Sequence, residues 1–296
     1  MFVVARISDE VTARACASLT FPCYIPALLA APSTPEIVAV VATYNDAPIG
    51  LGLAGLTRGE TQASLLSLAV AAAYRRQGVA TALLSALMPQ LGAAGADGVH
   101  AIYTAGQPST PAVERLLQRS GFSPPQPRNL LCTAEAQILR APVLGAAELP
   151  AGATIGLWLG VSASERARLR DELDALANLP KDVGPFFYEQ DLLPEFCFAL
   201  RYQNRVIGWA LSQAMDSDTV RIVSSYVLPE YQGGAFYPCL QVRLIETAFK
   251  LGRSRATWTV GMEHQELIRY HRLYLLPYLA RCDESRAAQK HWSVPK

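Results

Sequence analysis

The chain has 296 residues, 51% of them hydrophobic, with 26 basic and 25 acidic side chains and a formal net charge of +1. That length fits one large domain or two of about 150 residues, each able to bury a core. The charge balance gives no support for a nucleic-acid or polyanion partner, which needs a basic face, and no stretch approaches the roughly 18 consecutive apolar residues of a membrane span.

The chain opens on "FVVARI" and "SDEVTARACASL", which read as a strand, an N-capping serine and a helix. A short apolar run followed by acids is not the basic start and longer apolar core of a secretory signal, so a soluble, cytoplasmic protein is expected. "VVATYNDAPIGLGLAG" reads as two strands around an Asn-Asp turn, a β-hairpin. "LLSLAV" is a further strand. After the loop "AYRRQG" comes a helix with Leu83, Leu84, Leu87 and Leu91 at helical spacing, Pro89 to bend it and Gly95 to stop it. "VHAIYTAG" follows as a strand and "STPAVERLLQRSGF" as a helix. Residues 123–153, rich in proline and glycine, read as a linker in which "NLLCTAEAQIL" offers one or two strands to complete the first sheet.

The pattern then repeats. Tyr44 and Gly50 match Tyr202 and Gly208 at a separation of 158, the second pair lying in a hairpin with an Asn-Arg turn. Tyr74, Leu83, Leu87 and Gly95 match Tyr231, Leu240, Leu244 and Gly252 at a separation of 157. The second long helix carries Leu240, Leu244, Ile245 and Ala248 at helical spacing. "TIGLWLG" and "SASERARLRDELDAL" repeat the opening strand and helix, with Ser162 or Ser164 followed by Glu165 as a cap. The expected fold class is mixed α/β, in α+β layers. Two tandem domains, residues 1–140 and 150–296, each hold a central mixed β-sheet flanked by helices. Six scattered cysteines without a CxxC pair are expected to be free, buried thiols, and His264 and His271, seven apart, do not form a metal site; no metal is expected.

The loop carries the most specific signal. A strand, then [RQ]-x-x-G-x-[GA] filled by Arg75, Gly78 and Ala80, then a helix, with Gly121-Phe122 closing the next helix, resembles the GNAT superfamily of N-acyltransferases. The order of elements resembles it in both halves, over most of the chain. The resemblance implies acetyl-CoA or another acyl-CoA as co-substrate, an amine acceptor, and direct attack in a ternary complex. It places the pyrophosphate on Arg75, Arg76, Gln77, Gly78, Val79, Ala80 and Thr81, and the pantetheine arm along Leu68, Ala69 and Val70. The chemistry of these residues agrees. A helix N-terminus offers unpaired N–H groups and partial positive charge, small residues let phosphates approach the backbone, and arginines add charged contacts.

The second copy reads Gln232, Gly233, Gly234, Ala235, Phe236 and Tyr237 at the same positions. Both arginines are gone and two aromatic rings stand where phosphates need room, so this copy is expected to have lost the coenzyme. A one-residue gap would bring Gly234 onto Gly78. The family's acid, a tyrosine, falls on Leu117; Tyr103 and, in the second copy, Tyr274 are the candidates in its place, and the residues leave the acid and base unassigned. Ser64 and Ser67 are candidates to hold a water, and Glu114 reads as a solvated face residue. Glu189, Asp191, Glu195 and Glu263 are further acids, the first three in "GPFFYEQDLLPEF", the loop that covers the acceptor in the family. Two rival readings stand beside an N-acetyltransferase: a non-catalytic acyl-CoA sensor, and a transferase for a longer acyl chain. The tandem copies are expected to pack as a pseudo-dimer in a monomer, or as a homodimer.

Overall fold

The computed structural model describes residues 1–176, 179 and 183–292. The last residues of the second expected domain, 293–296, lie outside them. In chain order the strands are β1 (Val3–Arg6), β2 (Ile37–Tyr44), β3 (Ala47–Leu56), β4 (Gln62–Val70), β5 (Gly98–Thr104) and β6 (Gln126–Ala134). They continue with β7 (Ala153–Leu157), β8 (Phe198–Tyr202), β9 (Arg205–Ala214), β10 (Thr219–Val227), β11 (Arg255–Gly261) and β12 (Arg281–His291). The α-helices are α1 (Glu10–Ala15), α2 (Ile25–Ala30), α3 (Val79–Ala93), α4 (Thr110–Arg119), α5 (Pro142–Gly145), α6 (Ala163–Asp174), α7 (Phe236–Lys250) and α8 (Gln265–Tyr270). None of the described helices is long and apolar enough to cross a membrane.

The chain forms two compact units. One is Met1–Arg128 with the chain from Ser285 onward; the other is Asn129–Glu284. The break at Arg128 falls inside the expected junction. In the first unit the strand order is β1-β2-β3-β4-β5-β12. In the second it is β7-β8-β9-β10-β11-β6. Each order is antiparallel except for one parallel pair, β4 with β5 and β10 with β11. The linker strand corrects an expectation. β6 runs antiparallel to β11 and completes the second sheet, while residues from the end of the chain complete the first.

Apolar runs on β2, β3 and β4 are long because helices cover both faces. On one face of the first sheet, Val79, Leu83, Leu87 and Leu91 of α3 and Leu117 of α4 pack against Val38, Val40 and Val99. On the other, Ala13 of α1 and Leu28 of α2 pack against Val41, Leu51 and Leu53. Pro89 is accommodated within α3. Burying each such leucine stabilises the fold by about 2 kcal/mol. The second core is built alike around Trp209, Leu240, Leu244 and Ile245.

Local chemistry sets the ends of elements. The cap of α1 is Asp9 rather than a serine: its Oδ1 accepts from Thr12 N at 2.8 Å. At α6 the expected capping box is present, Ser162 with Glu165. The hairpins turn on two left-handed residues each, Asn45-Asp46 and Gln203-Asn204, the second turn lying one residue before the expected Asn-Arg. Left-handed Gly95 and Gly252 follow the ends of α3 and α7. All six cysteines are unpaired; four are buried, Cys282 is partly buried and Cys23 is exposed. No group of His, Cys, Asp and Glu among the described residues fits a metal ion.

Candidate functional site

β4 and β5 pair in parallel only from Gln62↔Gly98 to Leu65↔Ala101. β4 nevertheless stays paired with β3 as far as Val70↔Gly50. The parting follows a bulge: the register with β3 slips between Leu65 and Ser67, leaving Leu66 as the extra residue. A bulge twists its strand away from a neighbour and interrupts the ladder. A cleft therefore opens between Leu66–Val70 of β4 and Ile102–Thr104 of β5, and among the described residues no strand pairs with that half of β4 on the β5 side. Leu68, Ala69 and Val70 lie on this wall. An extended ligand arm entering here meets backbone groups as an added strand would.

The cleft leads to the loop before α3. Arg75, Arg76, Gln77 and Gly78 are exposed, and so is Thr81 in the first turn. Gly78 is left-handed at φ +82°, and a Cβ there would meet nothing within 4 Å. Its glycine serves the backbone turn and leaves open approach to the start of the 15-residue α3, whose first turn has no side-chain cap. Val79 buries its side chain in the core and has only its backbone to offer a ligand; Ala80 is partly exposed beside it. Gln77 Nε2 donates to Ala73 O at 3.1 Å and braces the loop.

The second unit holds the same device in altered form. β10 pairs with β11 only from Thr219 to Arg221, and its register with β9 slips around Val223. The loops have equal length, and Gly233, at φ +84°, matches Arg76, at φ +65°. No gap is needed to align them. Arg75 Nε donates to Val70 O at 3.0 Å, and Gln232 Nε2 donates to Val227 O at 2.7 Å. Both side chains thus cap the last carbonyl of the preceding strand, and the change from arginine to glutamine preserves that bond. Ala235 is right-handed at φ −75°, where Gly78 is left-handed, so the last step into the helix differs.

The two aromatic rings do not share one task. Phe236 packs on Tyr202 and Tyr231, with ring centroids 5.5 and 5.9 Å away. This extends a pair that Tyr44 and Tyr74 form alone in the first unit, at 5.6 Å. Tyr237 turns inward. Its hydroxyl accepts from Gln241 Nε2 at 3.0 Å, its ring lies 6.0 Å from that of Tyr270, and it interacts with Ser225 and Cys132. Burial pushes its phenol pKa well up. Ser225 matches Leu68 at the separation of 157. Tyr237 therefore stands against the diverging half of β10, and the cleft itself is filled rather than the phosphate approach.

Around the open cleft, the titratable groups differ from the sequence reading in several places. Tyr103, on the diverging half of β5, donates from its hydroxyl to Glu114 Oε1 at 3.1 Å. Arg286 Nη1 donates to the same oxygen at 2.8 Å. Glu114 is thus a bonded carboxylate between two donors and not a solvated face residue. Burial, then the bond to Glu114, push Tyr103 up to about 12, against the opposing Arg286 charge. Leu117 is buried in the core. Ser64 Oγ lies 2.9 Å from His100 Nε2, and Ser67 Oγ donates to Leu19 O at 3.4 Å, so both serines have protein partners. Burial, with Arg128 adding to it and Glu60 opposing, lowers the His100 pKa.

In the second unit, Tyr274 is half-exposed in a π-helical turn, His271–Leu275, with its ring 5.7 Å from that of Tyr270. Glu189 is ion-paired to Arg166 at 2.6 Å. In the same loop Phe186 packs near Trp158, at 6.2 Å, under the Arg170 guanidinium, at 4.4 Å. His271 accepts from Trp258 Nε1 at 2.9 Å and donates from Nδ1 to Leu267 O at 2.8 Å. Burial lowers its pKa, so it is a neutral core histidine.

A model of the Acetyltransferase (GNAT) family matches residues 10–122 and 166–274. No curated protein sequence matches the chain. Among solved structures, a tandem GNAT protein from the clavulanic acid biosynthesis pathway is similar at 14% identity and a TM-score of 0.67, covering 100% of both chains. A GCN5-related N-acetyltransferase from Sphaerobacter thermophilus is similar at 17% identity and a TM-score of 0.66, over 98% of this chain and 95% of that one. At this identity the likeness speaks for the tandem fold.

Proposed function

The chain belongs to the acetyltransferase (GNAT) family, and from that premise we propose that its first unit binds one acyl-CoA, acetyl-CoA foremost, and transfers the acyl group to an amine. The observation that carries this reading is the contrast between the two clefts. One is open beside a left-handed Gly78; the other has a right-handed Ala235 in that place and Tyr237 against its diverging strand, while both helices start without a side-chain cap. The pyrophosphate rests on the N-terminal N–H groups of α3, with Arg76 and the outer guanidinium nitrogens of Arg75 adding charge. The pantetheine arm runs along Leu68, Ala69 and Val70, and a backbone N–H on this wall polarises the thioester carbonyl.

The amine nitrogen attacks the carbonyl carbon directly. The C–N bond forms, the C–S bond breaks with its electron pair going to sulfur, and sulfur receives a proton as the nitrogen releases one. Tyr103 supports this step best as proton donor, because it stands on the diverging half of β5 beside the cleft and its hydroxyl, held by Glu114, is protonated at rest. The second unit acts as a closed copy that does not take up coenzyme.

Purified protein given acetyl-CoA and a panel of amines is expected to release free thiol. Binding of several acyl-CoAs with no thiol release from any amine would replace the transferase by a sensor. Preference for a longer acyl-CoA over acetyl-CoA in the same assay would shift the donor but keep the reaction class.

A further inference from the structure

The acid proposed for the first cleft stands within an arrangement that no short motif encodes. Tyr103 and Arg286 face each other directly across the antiparallel β5–β12 pair, so their side chains leave the same face of the sheet. Glu114, on α4 above that face, takes both hydrogen bonds on one oxygen, Oε1. The three residues bring together a strand, a helix and a segment 172 residues farther along the chain from Glu114. All three belong to the first unit.

We propose that Glu114 and Arg286 are positioning residues for Tyr103, fixing its hydroxyl at the cleft wall and setting how readily it gives up its proton. The inference rests on the reading of Tyr103 as proton donor in the acyl transfer. Glu114 holds the phenol O–H in the resting state and, as its acceptor, favours the protonated phenol. Arg286 donates to the same oxygen and neutralises the carboxylate. That weakens the carboxylate's hold on the phenol proton and reduces its repulsion of the thiolate that leaves the thioester. During transfer the phenol O–H turns from Glu114 Oε1 to sulfur and gives up its proton there; the phenolate takes up the proton released by the amine nitrogen and returns its O–H to Glu114, so Tyr103, Glu114 and Arg286 end in their starting states. The guanidinium that tunes this donor comes from β12, so the chemistry of the first unit draws on the last strand of the chain.

The test combines calorimetry with steady-state thiol release in the full-length protein, comparing wild type with Y103F, E114Q, Y103F/E114Q, R286M and R286K. Coenzyme affinity is expected to stay within about threefold in all of them, while kcat falls at least tenfold in Y103F and R286M. R286K, which keeps the charge, is expected to recover part of the R286M loss. In E114Q the alkaline loss of kcat is expected to move to lower pH, because the tyrosine no longer has a carboxylate holding its proton. In the Y103F background the E114Q change is expected to have no further effect on kcat or its pH profile. Additive losses in Y103F/E114Q, or R286M with wild-type kcat, would overturn the positioning role. Wild-type protein that binds no acyl-CoA would instead overturn the reading of the cleft, a separate failure seen in the calorimetry alone.

Discussion

Arg75 shows how one side chain serves two purposes and how the tandem copy separates them. Its Nε bond to Val70 O recurs as Gln232 to Val227 O, so closing the loop needs a donor of that reach and not a charge. The prediction is specific: Arg75→Gln keeps the thermal midpoint, whereas Arg75→Ala loses the bond at a cost of about 1 kcal/mol, read by urea unfolding. Arg75→Gln is nevertheless expected to weaken coenzyme binding, because the outer guanidinium nitrogens go with it. The turn into α3 was legible in the sequence because glycine at fixed spacing before a helical pattern has a direct physical meaning. Glu114 was not. Its partners Tyr103 and Arg286 reach it from another strand and from the end of the chain, and no local pattern reports such a meeting.

At the scale of elements, the same strand-bulge-loop-helix unit recurs in both copies, and in the second a residue in the first turn of α7, Tyr237, packs on the core beside Tyr270. Tyr237→Ala is expected to destabilise the protein by about 2 kcal/mol, since a partly buried ring packed on the core is removed, while Phe236→Ala loosens the cluster with Tyr202 and Tyr231. The sequence shows that both residues are aromatic but not their directions, which depend on the helix phase and on the room beside Ser225. The cap of α6 gives a second prediction. The Arg201 hydrogen bond, then the Ser162 N–H, hold the Glu165 pKa down at about 2 from an ordinary 4.5. A depressed folded-state pKa stabilises the fold fully above the unfolded value, and that stabilisation is lost as pH falls from about 4.5 toward 2. Stability measured across this window is expected to fall less steeply in Glu165→Gln than in wild type. The cap itself was readable, because Ser-x-x-Glu before a helical pattern names both of its bonds.

At the scale of the whole molecule, the repeat revealed two copies of one fold but not which strands complete each copy. Sequence order offers one or two strands within residues 129–139 to complete the first sheet. Residues 129–134 pair instead with β11, and residues 285–291 pair with β5. Strand patterns identify a strand without naming its neighbour, and exchange of equivalent strands leaves the alternation unchanged. A chain ending at Glu284 lacks the partner of β5, together with Ala288 and Trp292 of the first core. It is expected to leave residues 1–128 open to limited proteolysis, whereas a protected first unit in that truncation would contradict the strand assignment.

One coenzyme cleft per chain, in the first unit, is what titration calorimetry with acetyl-CoA is expected to count. One site per chain is predicted for wild type, with binding abolished by Gly78→Val, which places a branched side chain at a φ of +82° on the approach to α3. Two sites per chain, or wild-type affinity surviving in Gly78→Val, would contradict it.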